Sequence, residues 1–274
     1  MDVAVMANPN QALWEKGDFT RIARTMRQSG ADLAAELGIV PGMQVLDLGS
    51  GDGTTAVPIA RRGADVLGVD IAENLVAAGN ARAQNSGLYN LRFVHGDACR
   101  LTGIADDRFD LVVSIFGAMF APRPFDVARE IVRVTRPGGR IVMGNWIPGD
   151  PTLVAQILRI SSAYTPPPPE GFVSPMLWGD EAAVRERFAS AGITKLAFQR
   201  ETWWFRHPGP ASELMEIFRR FYGPTMNAFE AAAASGRDAQ LEAELATLFE
   251  LQNRGVDRTE IPATFLKVTA IKDS

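Results

Sequence analysis

The stretch VLDLGSGDG, Val45 to Gly53, runs an apolar segment straight into three glycines and two aspartates. Val45 to Leu48 reads as a buried strand, and the glycines that follow force a tight turn before the next helical pattern. Glycine at such a turn lets the backbone come close to a ligand where a side chain would collide. In open α/β sheets a loop of this kind lies at the carboxyl end of its strand, where ligands bind. The stretch is therefore read as a ligand seat.

Working outward, short apolar runs alternate with helical patterns. Phe19, Ile22, Ala23, Met26, Leu33 and Leu37 recur at helical spacing before the seat, and Pro41 and Gly42 end that segment. After it come TTAVPIARR as a helix, ADVLGVD as a strand, and AENLVAAGNARAQNSG as a helix closed by Gly87. LRFVHGD and FDLVVSIF are the next strands, FDVAREIVRVT a helix, and GRIVMGNW a fifth strand introduced by Pro137, Gly138 and Gly139. This alternation predicts right-handed crossovers and a doubly wound, mostly parallel α/β sheet.

Beyond Trp146 the rhythm changes. PTLVAQILRISSAY is helical, and the proline run of TPPPPEGFVSP fixes an extended path read as a lid. GDEAAVRERFASAG is a helix capped by Asp180, ITKLAFQRETWWF a strand, Ala211 to about Leu251 a helical insertion, and TFLKVTAIK a last strand. Three parts follow: an N-terminal helical cap over 1–42, a ligand-binding core over 43–146, and over 147–274 a lid, a helical insertion and two strands that complete the sheet.

Composition removes several classes of function. The 274 residues are 46% hydrophobic and 22% charged, ordinary for a soluble globular protein. A formal net charge of -4 gives no general attraction to nucleic acid or anionic membranes. The single cysteine, Cys99, permits no intramolecular disulfide and no cysteine metal cluster, which points to a reducing cytoplasm. No run approaches a membrane span, and MDVAVMANPNQALWEKGDF lacks the layout of a signal peptide. Neither a metal site nor a membrane or nucleic-acid partner is expected, and the chain is read as a monomer or homodimer.

Three details define the ligand. The glycines follow G-x-G-x-G and lack the G-x-G-x-x-G spacing of a dinucleotide site, and no P-loop lysine follows. Asp47 places a carboxylate inside the strand end, which suits a cationic ligand. Asp70 ends the second strand, where an acid can accept both hydroxyls of a ribose.

With those residues in view the chain resembles the class I S-adenosylmethionine-dependent methyltransferases, through VLDLGSGDG, VLGVD, HGDA, FDLVVSIFGAMF and RPGGRIVMGNW. Less closely, FGAMFAPRP, NWIPGD and FRRFYGPT resemble a bacterial small-molecule branch related to ubiquinone and menaquinone methyltransferases. The resemblance implies strand order 3-2-1-4-5-7-6 with the last strand antiparallel. It also implies that Gly49 and Gly51, with Ser50 between them, pack against the methionyl part of S-adenosylmethionine while Asp47 organises its ammonium. Asp70 would hold the ribose, Ile71 the ring, and Asp97 the adenine amino group beside Ala98 or Cys99. Ser114, Ile115 and Phe116 would line the methyl channel, and Trp14, in WEKGDFTRIA, belongs to a segment folding over the cofactor. The long insertion before the last strand departs from that family's short hairpin.

Methyl transfer from a sulfonium is governed by alignment and exclusion of water. A general base is needed only for an oxygen or carbon acid, and His207 and Tyr222 are the first candidates, with Tyr164 and Glu201 behind them. His95 reads as a packed strand residue, and of Trp203 and Trp204 at most one faces the core. The density of Phe, Trp and Met after residue 145 points to a small, largely apolar or aromatic acceptor. A nucleic-acid methyltransferase and a non-catalytic cofactor-binding protein are the alternatives. The first lacks an Asp or Asn followed by Pro-Pro-aromatic after the fourth strand, where this chain has SIFGAMF.

Overall fold

The computed structural model describes residues 11–273. The reading of the first ten residues as carrying no signal peptide lies outside them. Two helices come first, α1 (Gln11–Glu15) and α2 (Phe19–Glu36). Asp18 caps α2 by accepting from the Thr20 backbone N–H at 3.1 Å, and Ile22, Met26 and Leu33 form its buried stripe.

The core then alternates as expected: β1 (Gln44–Leu48), α3 (Ala56–Ala60), β2 (Asp65–Asp70), α4 (Glu73–Asn85), β3 (Leu91–His95), β4 (Phe109–Ile115), α5 (Pro124–Val134) and β5 (Thr135–Trp146). The strand at β5 starts earlier than predicted. Phe109 pairs with Thr135 and Leu111 with Arg140, so the Pro137-Gly138-Gly139 turn is a bulge inside the strand rather than its entrance. The last part contributes α6 (Leu153–Ser162), α7 (Glu181–Ala189), β6 (Leu196–His207), α8 (Ala211–Phe221), α9 (Gly223–Ala234), α10 (Asp238–Gln252) and β7 (Thr259–Ile271). The predicted helical insertion is thus three helices, which pack on one another and on α6.

All seven strands form one sheet in the order β3-β2-β1-β4-β5-β7-β6. The first five are parallel, and β7 runs antiparallel between β5 and β6. The central strands are buried on both faces, so Leu111, Val112 and Val113 of β4 read as an apolar run, and Val45, Leu46 and Leu48 of β1 do so with Asp47 as the one interruption. The strand order reverses between β1 and β4, which opens a crevice at their carboxyl ends. No helix among the described residues is long and apolar enough to cross a membrane.

One polar junction fixes the N-terminal helices over that crevice. Arg27 of α2 donates to both carboxylate oxygens of Asp52 and, at 2.6 Å, to the Thr54 hydroxyl. Asp52 is nearly buried, so removing its partner strands a charge. Arg27→Ala is expected to lower stability by about 2 kcal/mol, seen as a lower urea midpoint with an unchanged slope.

Candidate active site

The glycine loop is held by three layers of contact. Gly49 and Ser50 both donate backbone N–H groups to the Val69 carbonyl, at 2.8 and 3.1 Å, which ties the end of β1 to the end of β2. Gly49, Gly51 and Gly53 all adopt positive φ, at 69°, 53° and 87°. At Gly49 the reason is also steric, because a Cβ there would lie 2.5 Å from the Gly117 Cα. A methyl added at Gly51 meets no protein atom within 4 Å, so that side of the loop faces open space. Arg82 of α4 closes the back of the loop by donating to the Asp52 and Gly53 carbonyls at 3.1 and 2.8 Å.

Asp70 is buried and takes Gly51 N–H at 2.7 Å on one oxygen and Ala72 N–H at 2.9 Å on the other. Burial pushes its carboxyl upward, and the N–H groups of Ala72, Gly51 and Ile71 oppose that shift. Asp47, also buried, has one carboxylate oxygen with no hydrogen-bond partner. Its carboxyl is pushed up to about 7, chiefly by burial, with the Ala56 N–H acting in the opposite direction and Asp70 adding repulsion. The Ser50 hydroxyl is likewise buried and unpartnered.

These groups border a cleft of about 910 Å³, part of it open to solvent. Among the expected cofactor residues, Trp14, Asp47, Gly49, Ser50, Gly51, Asp70, Ile71, Ala98, Ile115 and Phe116 line it. Asp97 and Ser114 are not among its lining residues. The Asp97 carboxylate caps its own turn, accepting Cys99 N–H at 2.8 Å, and lies 3.7 Å from Arg123. Ser114 is a staple within the sheet, donating to the Leu48 carbonyl at 2.6 Å and accepting Ala118 N–H at 3.0 Å. Cys99 lines no part of the cleft; burial pushes its thiol up to about 12, so it is an inert core residue.

A second cavity of about 330 Å³, also partly open, adjoins the cleft and shares Trp14, Phe19, Met26, Phe116 and Phe120 with it. Its remaining walls are Ile22, Trp146, Val154, Phe205, Phe218 and Tyr222. No charged side chain is among these described residues. Phe116 stands between the two spaces in a left-handed conformation, φ 56°, unusual for a bulky residue. An aromatic box holds it there: its ring stacks on Trp146 at 3.6 Å and meets Trp203 and Phe265 edge-on at 5.1 and 5.3 Å.

The expected bases fall elsewhere. His207 lies beyond Phe205 on the same strand face, lines neither cavity, and is tied to Glu213 at 3.0 Å. Tyr164 donates to Glu244 at 2.7 Å, and Glu201 pairs with Lys267 on the sheet edge. His95 is exposed, not packed. Tyr222 does line the second cavity, but burial pushes its phenol upward, so at neutral pH it is a hydrogen-bond donor and not a base. The prolines at 166–169 are exposed and no residue between 155 and 202 lines either cavity, so this run is not the lid. The cover comes from α1, α2 and α8. Lys16 at the end of α1 reaches Asn227 and Glu230 of α9 at 2.6 and 2.7 Å, and Glu15 accepts the Glu73 N–H of α4 at 3.2 Å.

The family described as Methyltransferase domain matches residues 46–143, the span from the glycine loop to β5. A demethylmenaquinone methyltransferase of Mycolicibacterium paratuberculosis is 34% identical over 169 residues, 57% of this chain and 70% of that one. The chain belongs to the class I S-adenosylmethionine-dependent methyltransferases. Similarity to this methyltransferase extends further in an uncharacterized protein of Mycobacterium tuberculosis, 35% identical over 241 residues, 88% of this chain and 85% of that one. The phosphoethanolamine N-methyltransferase 2 of Haemonchus contortus, solved in complex with S-adenosyl-L-methionine, shares the fold. It has a TM-score of 0.57 at 17% identity, over 90% of this chain and 53% of that one.

The residues of this methyltransferase fit its cofactor on their own chemistry. An unpartnered buried carboxylate oxygen at Asp47 suits an ammonium, Asp70 at the end of β2 suits a diol, and the open side of Gly51 leaves room for a ligand against the backbone. What the sequence did not single out is Gly117, whose own Cβ would lie 2.3 Å from the Gly49 carbonyl oxygen. The signal was present in the SIFGAMF stretch, but only the paired backbone approach gives it meaning.

Proposed function

We propose that this enzyme transfers a methyl group from S-adenosylmethionine to a small, largely apolar or aromatic metabolite held in the second cavity, releasing S-adenosylhomocysteine. The observation that carries this reading is the wall: among the described residues it has eleven side chains, eight of them aromatic and none charged. A cationic amine or a phosphate placed there loses its hydration with no charge to replace it, a cost of several kcal/mol. A flat apolar acceptor gains burial and ring contacts instead.

When bound, the cofactor supplies an electrophilic methyl on a sulfonium sulfur. An acceptor lone pair forms the new bond to that carbon as the carbon–sulfur bond breaks and its electron pair stays on sulfur. The protein's part is placement. Asp47 and Asp70 would hold the polar ends of the cofactor along the glycine loop, while Trp14, Phe19, Met26, Phe116 and Phe120 line both spaces. Apolar walls exclude water from the sulfonium. Walls that carry no charge suit an apolar metabolite and not a nucleic-acid strand, and we read the protein as a cytoplasmic monomer or homodimer.

The test is a panel of methyl acceptors with isotopically labelled S-adenosylmethionine and mass detection of product. Transfer to neutral phenols or fused-ring aromatics, and none to small charged amines, is expected. Turnover confined to charged amines would overturn the reading.

Asp47 adds a pH signature. With its carboxyl near 7 in the free protein, it is mostly neutral at pH 6 and mostly ionised at pH 8. A bound ammonium favours the ionised form, so affinity for S-adenosylhomocysteine is expected to rise about tenfold across that interval. Asp47→Asn should flatten the profile in a calorimetric pH series. The stability linkage has the opposite sign. Because folding raises this carboxyl, its contribution is fully present below the unfolded value of 3.8 and is lost as pH rises through about 7.

A further inference from the structure

We propose that Phe116 couples the two cavities: its ring is kept in its aromatic box when the glycine loop is occupied, and only that arrangement leaves the second cavity clear. Cofactor and acceptor then bind with positive cooperativity. This rests on the reading of the second cavity as the acceptor site and adds how access to it is controlled.

The backbone at Phe116 is gripped from two sides. Its N–H donates to the Gly144 carbonyl at 2.9 Å, which ties it to β5. The next residue, Gly117, packs backbone to backbone on the glycine loop. A Cβ there would lie 2.3 Å from the Gly49 carbonyl oxygen and 2.6 Å from the Gly49 Cα. That spacing leaves no room for a side chain between the two segments, so a shift of Gly49 passes directly to the peptide that carries Phe116. Gly49 lines the cofactor cleft, and the buried, unpartnered oxygens of Asp47 and Ser50 flank it in sequence. A ligand that engages those oxygens fixes Gly49, and Gly117 with it.

Phe116 has two ways to sit. At φ 56° its backbone carries the strain of the left-handed region, which the stack on Trp146 and the edges of Trp203 and Phe265 offset. Relaxing φ to a negative value swings the ring out of that box. The ring borders both cavities, so on leaving the box it enters one of them. In a second cavity of about 330 Å³, a phenyl ring takes space that an acceptor needs. The strained arrangement is therefore the one that leaves both spaces clear, and the contact of Gly117 with the loop selects it. Two ligands that favour the same one of two states bind cooperatively, and each raises the affinity of the other by the same factor. Phe116 is a positioning residue: its loss removes this cooperativity and leaves both cavities in place.

The experiment uses S-adenosylhomocysteine and indole, a neutral probe small enough for the second cavity. Indole is titrated calorimetrically with and without saturating S-adenosylhomocysteine into the native chain, Phe116→Ala and Phe116→Gly. The glycine variant removes the strain along with the ring, and keeps the test in hand where the alanine variant fails to fold. In the native chain S-adenosylhomocysteine is expected to raise indole affinity about five- to twentyfold, and indole to raise S-adenosylhomocysteine affinity equally. In the variants each ligand still binds alone, and the factor falls below about twofold. Equal or lower indole affinity in the presence of S-adenosylhomocysteine in the native chain overturns the coupling. A factor that survives in the variants comes from direct contact between the ligands and overturns the role of Phe116. Failure of the native chain to bind indole under either condition, while it binds S-adenosylhomocysteine, overturns the acceptor-site reading itself, and the coupling falls with it.

Discussion

Gly49→Val is expected to abolish measurable binding of S-adenosylhomocysteine and to cost about 3 kcal/mol or more of stability. Two independent effects add. The position has φ 69°, which a β-branched residue tolerates poorly at about 1–2 kcal/mol or worse. A Cβ there lies 2.5 Å from the Gly117 Cα, and backbone on both sides leaves no side chain to move aside. The loop must shift away from β4, and with it the amide of Gly51 that Asp70 holds. Gly117→Ala should reproduce the defect from the opposite side of the same contact, and the double variant should be less than additive. Gly51→Ala is the control: at φ 53° it carries the positive-φ strain of about 1 kcal/mol but no clash, with no protein atom within 4 Å of its new methyl, so it should lose less stability than Gly49→Val and lose affinity by intruding on the ligand's space. Urea denaturation and calorimetry separate the two effects. Full affinity in a folded Gly49→Val protein would show that the loop does not carry the cofactor.

Asp70→Ala comes second in expected size, with a ten- to hundredfold loss of S-adenosylhomocysteine affinity, about 1.5–3 kcal/mol. The carboxylate does two tasks. It holds the Gly51 and Ala72 amides, at 2.7 and 2.9 Å, and so shapes the loop and the start of α4. It also keeps free lone pairs at the end of β2 where a ribose would present its hydroxyls. Truncation therefore leaves two backbone donors without their acceptor as well as removing the ligand contact. A folded variant with unchanged affinity would refute the ribose role.

Much of this arrangement was legible because it is written locally. The Val45–Gly53 run, the acid at Asp70 and the alternation of strands with helices each depend on residues within a few positions of one another, and periodicity reads such features well. The order β3-β2-β1-β4-β5-β7-β6 came from the resemblance those motifs carry. What local pattern leaves out is long-range. Ser114 has the right residue type at the right strand end, yet its hydroxyl is consumed by Leu48 and Ala118. Asp97 sits beside the cleft but turns to cap Cys99, because a carboxylate two residues before an unpaired N–H closes a local turn more readily than it reaches outward. The proline run suggested a lid by its stiffness, whereas the roof is built by α1, α2 and α8 from residues whose helical spacing looked like ordinary core. Phe19, Met26 and Phe218 differ from core side chains only in facing a cavity, and no one-dimensional pattern records that.

The second cavity shows the same limit from another side. Its aromatic residues come from positions 14 to 222, and only the fold gathers them. Sequence density of Phe, Trp and Met after residue 145 pointed to an apolar or aromatic pocket, but half the described wall, from Trp14 to Phe120, lies before that point. Tyr222 was singled out as a base; its burial instead makes it a donor.

The most direct measurement is a calorimetric titration of the native chain with S-adenosylhomocysteine, run beside NADH on the same preparation. The glycine loop, the two aspartates and the open side of Gly51 predict micromolar binding of the first at one site per chain and no heat from the second. Binding of NADH without S-adenosylhomocysteine would mean that the loop from Gly49 to Gly53 seats a dinucleotide, and the methyltransferase account of this cleft would be wrong.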